Sequence, residues 1–136
     1  MMSAAPITVR VAALGIAIHA INHVLVLVFS PFSWNVGTVF HLIHAPLYAA
    51  LVWPVLLGKN WARILITFLL GGQFLGRFVV WVLFPSAGAH LALIGGWALS
   101  VAVLTLLWVP GSTRRYYRRT RTHPAPESAS VAKVTE

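Results

Sequence analysis

Residues 7–29 read ITVRVAALGIAIHAINHVLVLVF, and beyond Arg10 this run carries no Lys, Arg, Asp or Glu. A bilayer core about 30 Å thick needs roughly 20 apolar residues of helix, and the run supplies them. Residues 38–57, 61–84 and 89–109 repeat the pattern. The breaks between them carry turn chemistry: Ser30-Pro31-Phe32-Ser33, Gly58-Lys59-Asn60 and Pro85-Ser86-Ala87-Gly88. Connections this short pack neighbouring helices antiparallel. The expectation is an all-α polytopic membrane protein, an up-and-down bundle of transmembrane helices over residues 1–110 with a tail over 111–136. A cleaved leader is the competing reading of the first run. Its apolar length exceeds that of a usual leader, His19, Asn22 and His23 interrupt it, and no small-residue cleavage site follows before Ser30-Pro31.

Composition points the same way. Charged residues are 9% of the 136 and apolar residues 59%, whereas about a quarter of a soluble chain is charged. The only carboxylate side chains are Glu127 and Glu136, so most of the chain must face lipid or itself. Without cysteine there are no disulfides, iron–sulfur clusters, thiolate metal sites or thiol nucleophiles. Paired-carboxylate and Ser-His-Asp catalysis lack their acids, and no general-base Glu accompanies the histidines as in a metalloprotease helix. The balance leans away from an enzyme.

The net charge of +8 has a membrane explanation. Arg10, Lys59, Arg63, Arg114, Arg115, Arg118, Arg119 and Arg121 all fall on one side of such a bundle, while residues 30–37 and 85–88 carry no charge. Basic residues are retained in the cytoplasm, which puts both termini there and the protein in an inner (plasma) membrane of bacterial type. Phe29, Phe32, Trp34, Phe40, Trp81 and Phe84 would ring the outer interface, with Trp53, Trp61, Trp108, Tyr116 and Tyr117 at the inner one. Arg114-Arg115-Tyr116-Tyr117-Arg118-Arg119 reads as a topology anchor that meets anionic headgroups, rather than as a nucleic-acid site. Residues 120–136, rich in Thr, Ser, Ala and Pro, are expected to be disordered.

Polar side chains inside a membrane are costly, so their placement carries the most information. His19, Asn22 and His23 share a face of the first span at i, i+3 and i+4. His41 and His44 are three apart on the second, with Tyr48 a turn beyond. Gln73 and Arg77 are four apart on the third, and His90 opens the fourth. At 1.5 Å per residue, His23, His44 and Arg77 lie roughly 9–11 Å below the outer surface, with His19 and Gln73 near the midplane. Pro46 frees the carbonyl of Leu42 beside this cluster, and Pro54 that of Ala50. Gly71, Gly72 and Gly76, and Gly95-Gly96, suit close helix contact.

A polar outer half over an apolar inner half defines the candidate site. No carboxylate in the spans neutralises Arg77. It must therefore reach headgroups or water, or hold an anionic or electron-rich group such as a haem propionate, a quinone carbonyl or a lipid phosphate. Haem b would take axial ligands from facing helices, with His23 and His44 the best-matched pair by depth and Arg77 on a propionate. An all-nitrogen metal site would draw on His19, His23, His41 and His44, and a proton relay is a third chemistry. Three functions follow: an accessory or structural subunit bound to a membrane protein or to its own copies, a haem- or metal-binding protein of electron transfer or cofactor handling, and a small transporter.

Overall fold

Short polar caps set where the helices begin. In the computed structural model, which describes residues 4–29 and 33–122, the order is α1 (Ile7–Phe29), α2 (Val36–Leu56), α3 (Asn60–Leu83), α4 (Ala87–Trp108) and α5 (Gly111–Thr122). Asn35 Oδ1 accepts the Thr38 amide at 2.9 Å and Ser86 Oγ accepts that of Ala89 at 3.2 Å. Each cap satisfies an otherwise orphaned N–H, and so α2 and α4 start two residues before the positions expected from hydropathy. α2 continues through Pro46 and Pro54 without a break. It ends in a Schellman motif, with Lys59 N bonded to Pro54 O, Gly58 N to Val55 O, and Gly58 at φ 70°. The Ser30-Pro31-Phe32 turn, Phe32 of the outer ring, and residues 123–136 of the tail lie outside the described residues.

The first four helices are each long and apolar enough to cross a membrane, and they pack as an up-and-down bundle. The chain is a multi-pass membrane protein. α1 is its centre, lying closely along α2 and then α4, while α3 leans on α4 and more loosely on α2. One end carries Arg10, Lys59 and α5 and is called the basic end; the other is the distal end. The core has two zones. Toward the basic end it is apolar, built from Val9, Ala12, Ala13 and Ile16 of α1, Leu51 and Val55 of α2, Ala62, Ile66 and Leu70 of α3, and Val103 and Leu107 of α4. Along the same stripes toward the distal end the buried residues turn polar: His19 and His23, then Gln73 and Arg77, with Ser100 opposite.

The glycines divide in a way their spacing did not foretell. A Cβ on Gly15 would run into Val103 Cγ2, so Gly15 is what lets α1 and α4 touch. Gly71, Gly72 and Gly76 have nothing within 4 Å of an added Cβ. The expected close packing around Gly72 and Gly76 is therefore not made among the described residues, because α4 meets α3 along another face. Gly95 is likewise open, but Gly96 is filled by the Arg77 guanidinium.

The basic block, given no structure of its own by its composition, is a docked helix. Tyr116 and Tyr117 donate to the carbonyls of Leu56 (2.6 Å) and Val55 (3.0 Å), which are end-of-helix acceptors. Thr120 donates to Gly58 O at 2.8 Å, and Thr113 Oγ1 lies 2.7 Å from Thr8 Oγ1 of α1. Tyr117 is buried rather than displayed at an interface, and burial pushes its phenol above the ordinary value of 10.0.

Two outcomes are expected. Gly15→Ala should cost about 1–3 kcal/mol through overpacking, whereas Gly72→Ala should stay within about 0.5 kcal/mol; thermal melts in detergent compare them. α5 docking should hold up to pH 10 and weaken above it, because the undocked Tyr117 ionises first. Protection of the 111–122 amides from hydrogen exchange, corrected for intrinsic rates, would report that loss.

Candidate functional site

The polar residues of the distal half form two hydrogen-bonded sets that between them touch all four spans. Tyr48, fully buried on α2, donates its hydroxyl to Gln73 Oε1 of α3 at 3.1 Å. The Gln73 amide nitrogen lies 3.0 Å from His23 Nε2 of α1. An amide N–H only donates, so His23 Nε2 accepts. A neutral His23 then carries its proton on Nδ1 and gives it to His41 Nδ1 of α2 at 2.6 Å. On the other side, Arg77 Nη1 of α3 donates to Ser100 Oγ of α4 at 2.9 Å. Ser100 in turn donates to Gly96 O at 2.9 Å, and its oxygen lies 3.4 Å from His19 Nε2 of α1. The bonds run from α1 to α2, α2 to α3, α3 to α4 and α4 back to α1.

Ring stacking fills the spaces between them. The Tyr48 ring is stacked on both His23 and His19, with centroids 5.5 Å away in each case. Phe40 stacks on His44 at 3.8 Å. His44 Nδ1 is 2.8 Å from the carbonyl of Phe40, one turn back on its own helix. Trp81 stacks on His90 at 3.7 Å and 6°, and His90 Nε2 donates to Trp81 O at 3.2 Å.

Of the residues singled out from sequence, His19, His23, His41, His44, Gln73 and Arg77 therefore come together. Two do not. Asn22 is exposed on the side of α1, because the buried stripe passes through His19, Ala20 and His23 and leaves position 22 outside it. His90 belongs to the α3–α4 hairpin near its distal turn. Arg77 does not extend outward to headgroups: it is 8% exposed and lies against Gly96 and Ser100.

The cofactor chemistries can be set against this geometry. Both His23 nitrogens are engaged, by Gln73 and by His41, so His23 offers no free lone pair to haem iron. The His23 and His44 rings, 5.7 Å apart, already contact Tyr48 and Phe40 where a porphyrin would enter. Neighbouring nitrogens on a tetrahedral metal would stand about 3.3 Å apart, given bonds near 2.0–2.1 Å; the 2.6 Å between His23 and His41 is a hydrogen bond. Among the described residues no group of three or more His, Asp or Glu could hold a metal ion. Haem b and an all-histidine metal thus do not fit this arrangement.

Ser100 and Gly96 are site residues that sequence reasoning missed. A serine within a span is too common to stand out, and a glycine reads as packing until its neighbour is known to be an arginine. Tyr48 was visible as the continuation of the His41/His44 stripe. Comparison with family models, with curated proteins and with solved structures gave no match.

If the Tyr48–Gln73 bond couples α2 to α3, a Tyr48→Phe/Gln73→Leu double-mutant cycle should return a coupling near 0.6 kcal/mol and not above about 1.7. Asn22→Leu should be neutral within about 0.5 kcal/mol. Reversible unfolding in mixed micelles measures both.

Proposed function

We propose that the protein is a non-enzymatic accessory subunit of a bacterial-type inner membrane, with both termini in the cytoplasm. The observation that carries this reading is two sets of interhelical hydrogen bonds, His41–His23–Gln73–Tyr48 and Arg77–Ser100–His19, which between them link all four spans. Their members are paired with one another, as in a framework that fixes helix order. The open glycine face of α3 supports the subunit role, since a helix of a partner, or of a second copy, could approach its backbone closely there. Orientation rests on the gathering of basic residues at one end. A transporter is less well supported, because the basic half of the core is apolar.

The test has two arms. Green fluorescent protein fused after Glu136 should fluoresce and alkaline phosphatase inserted at Ser86 should be active; the opposite pattern would reverse the orientation. His23→Ala and Arg77→Gln should lower the melting temperature and reduce recovery of co-purifying membrane proteins. Variants that stay folded and keep their partners while losing a measurable activity would reject the framework reading.

A second reading rests on Arg77 alone. Its guanidinium is buried without a carboxylate, and among the described residues its one hydrogen bond goes to Ser100. An anionic or electron-rich group, such as a quinone carbonyl or a lipid phosphate, would compensate it. Solvent extraction of the purified wild type and of Arg77→Gln, followed by mass spectrometry, should then show a quinone or lipid that only the wild type retains.

A further inference from the structure

The basic end contains a pocket unrelated to the distal histidines. It has a volume of about 500 Å³, and its walls include Asn60 and Arg63 of α3 and Arg114, Arg115, Tyr117 and Arg118 of α5. Four arginines thus line one cavity. On α5 the residues Gly111, Arg114, Arg115 and Arg118 recur at the spacing of a single helix face. The neighbouring face, Thr113 and Tyr117, is buried and hydrogen-bonded to the bundle. That buried face holds the arginine face in register over the start of α3.

Arg63 is fixed from the other side. Its guanidinium carbon lies 3.8 Å from the Trp108 ring centroid and 4.7 Å from that of Tyr117. Cation–π contact of this kind orients the planar fork. Trp108 is itself held by a hydrogen bond from Nε1 to Thr67 Oγ1 at 2.9 Å. α3 begins at Asn60 on the pocket wall, and its N-cap, Lys59, makes no side-chain capping bond. The positive end of the helix dipole adds to the charge of the arginines.

We infer that this pocket binds the phosphate of an anionic phospholipid headgroup. Planar forks at several angles suit a tetrahedral oxyanion, which accepts bidentate bonds on more than one side. The lipid source follows from position. Trp61, next to Asn60, and Trp108, at the end of α4, are both exposed, as aromatic residues at a membrane interface are. The pocket therefore opens at headgroup depth, where phosphates are tethered at high local concentration. The inference needs only that this end of the bundle lies at a headgroup layer, so it stands apart from the reading of the distal hydrogen bonds.

The experiment uses the full chain in neutral detergent and follows its melting temperature. The probes are short-chain phosphatidylglycerol, short-chain phosphatidylcholine and inorganic phosphate. Phosphatidylglycerol should raise the melting temperature in a saturable way, phosphatidylcholine should not, and inorganic phosphate should need a much higher concentration. The double variant Arg114→Gln/Arg118→Gln should weaken the apparent affinity about tenfold or more, the loss of at least one charge-assisted hydrogen bond. Arg63→Lys, which keeps the charge and loses the fork, should weaken it in the same direction. Arg10→Gln/Lys59→Gln removes equal charge at the same end outside the pocket wall and should bind as the wild type does. Equal loss in both double variants would mean a diffuse basic surface and overturn the site. Equal potency of inorganic phosphate would overturn the lipid assignment, and absence of any saturable shift would overturn both.

Discussion

In hydrocarbon a hydrogen-bonding side chain has no water to fall back on, and its partners must come from the protein. His23, fully buried on α1, is where that constraint bears hardest here, since both ring nitrogens need partners from other helices. Gln73 of α3 supplies one and His41 of α2 the other. Two neighbouring spans are thereby fixed in height and rotation relative to α1. Apolar stripes alone would not do this, because lipid tails are as apolar as the residues they would cover. The half toward α5 relies on close packing of Val9, Ile16, Leu51, Ile66 and Leu107, and the other half on directional bonds.

Arg77 shows how one costly residue dictates its surroundings. A guanidinium turned into the bundle needs space, and Gly96 gives it by lacking a side chain: an added Cβ would stand 2.9 Å from its atoms. It needs an acceptor, and Ser100 Oγ gives that while its hydroxyl donates a hydrogen bond to Gly96 O. Positions 96, 100 and 77 are thus a single solution distributed over two helices. The charge is left without a counter-ion in the spans, which is the one feature of the distal half that mutual hydrogen bonding does not account for.

Much of the fold was legible because lipid simplifies the code. Four long apolar runs, short turns and one-sided basic residues leave few arrangements, and helical spacing placed His19, His23, Gln73 and Arg77 on inward stripes. Which side chains would meet was harder to read. Depth matched His23 with His44, but His41 is the partner, because His44 turns back to Phe40 O and stacks on the Phe40 ring. Spacing alone put Asn22 with the histidines. The rotation of α1 against its neighbours, set in part by the Gly15–Val103 contact, carries it outside. The glycines of α3 look alike in sequence, and only the lean of α4 decides that Gly72 and Gly76 remain uncovered.

The last helix separates what charge explains from what it does not. Any cluster of arginines after a final span would retain that end of the chain on one side of the membrane, and an extended tail would serve as well as a helix. Tyr116, Tyr117 and Thr120 do something retention does not require. They bond the carbonyls of Leu56, Val55 and Gly58, at and just past the C-terminal end of α2. Gly58 is kept free of a side chain on the same spot, since a Cβ there would meet Tyr116 and Thr120 within 3 Å. The turn and the helix are therefore fitted to each other, and the arginines between those anchors are held in place rather than merely tethered. Charge bears on which side of a membrane such a segment takes; the phenol and hydroxyl bonds account for its being an ordered, docked helix.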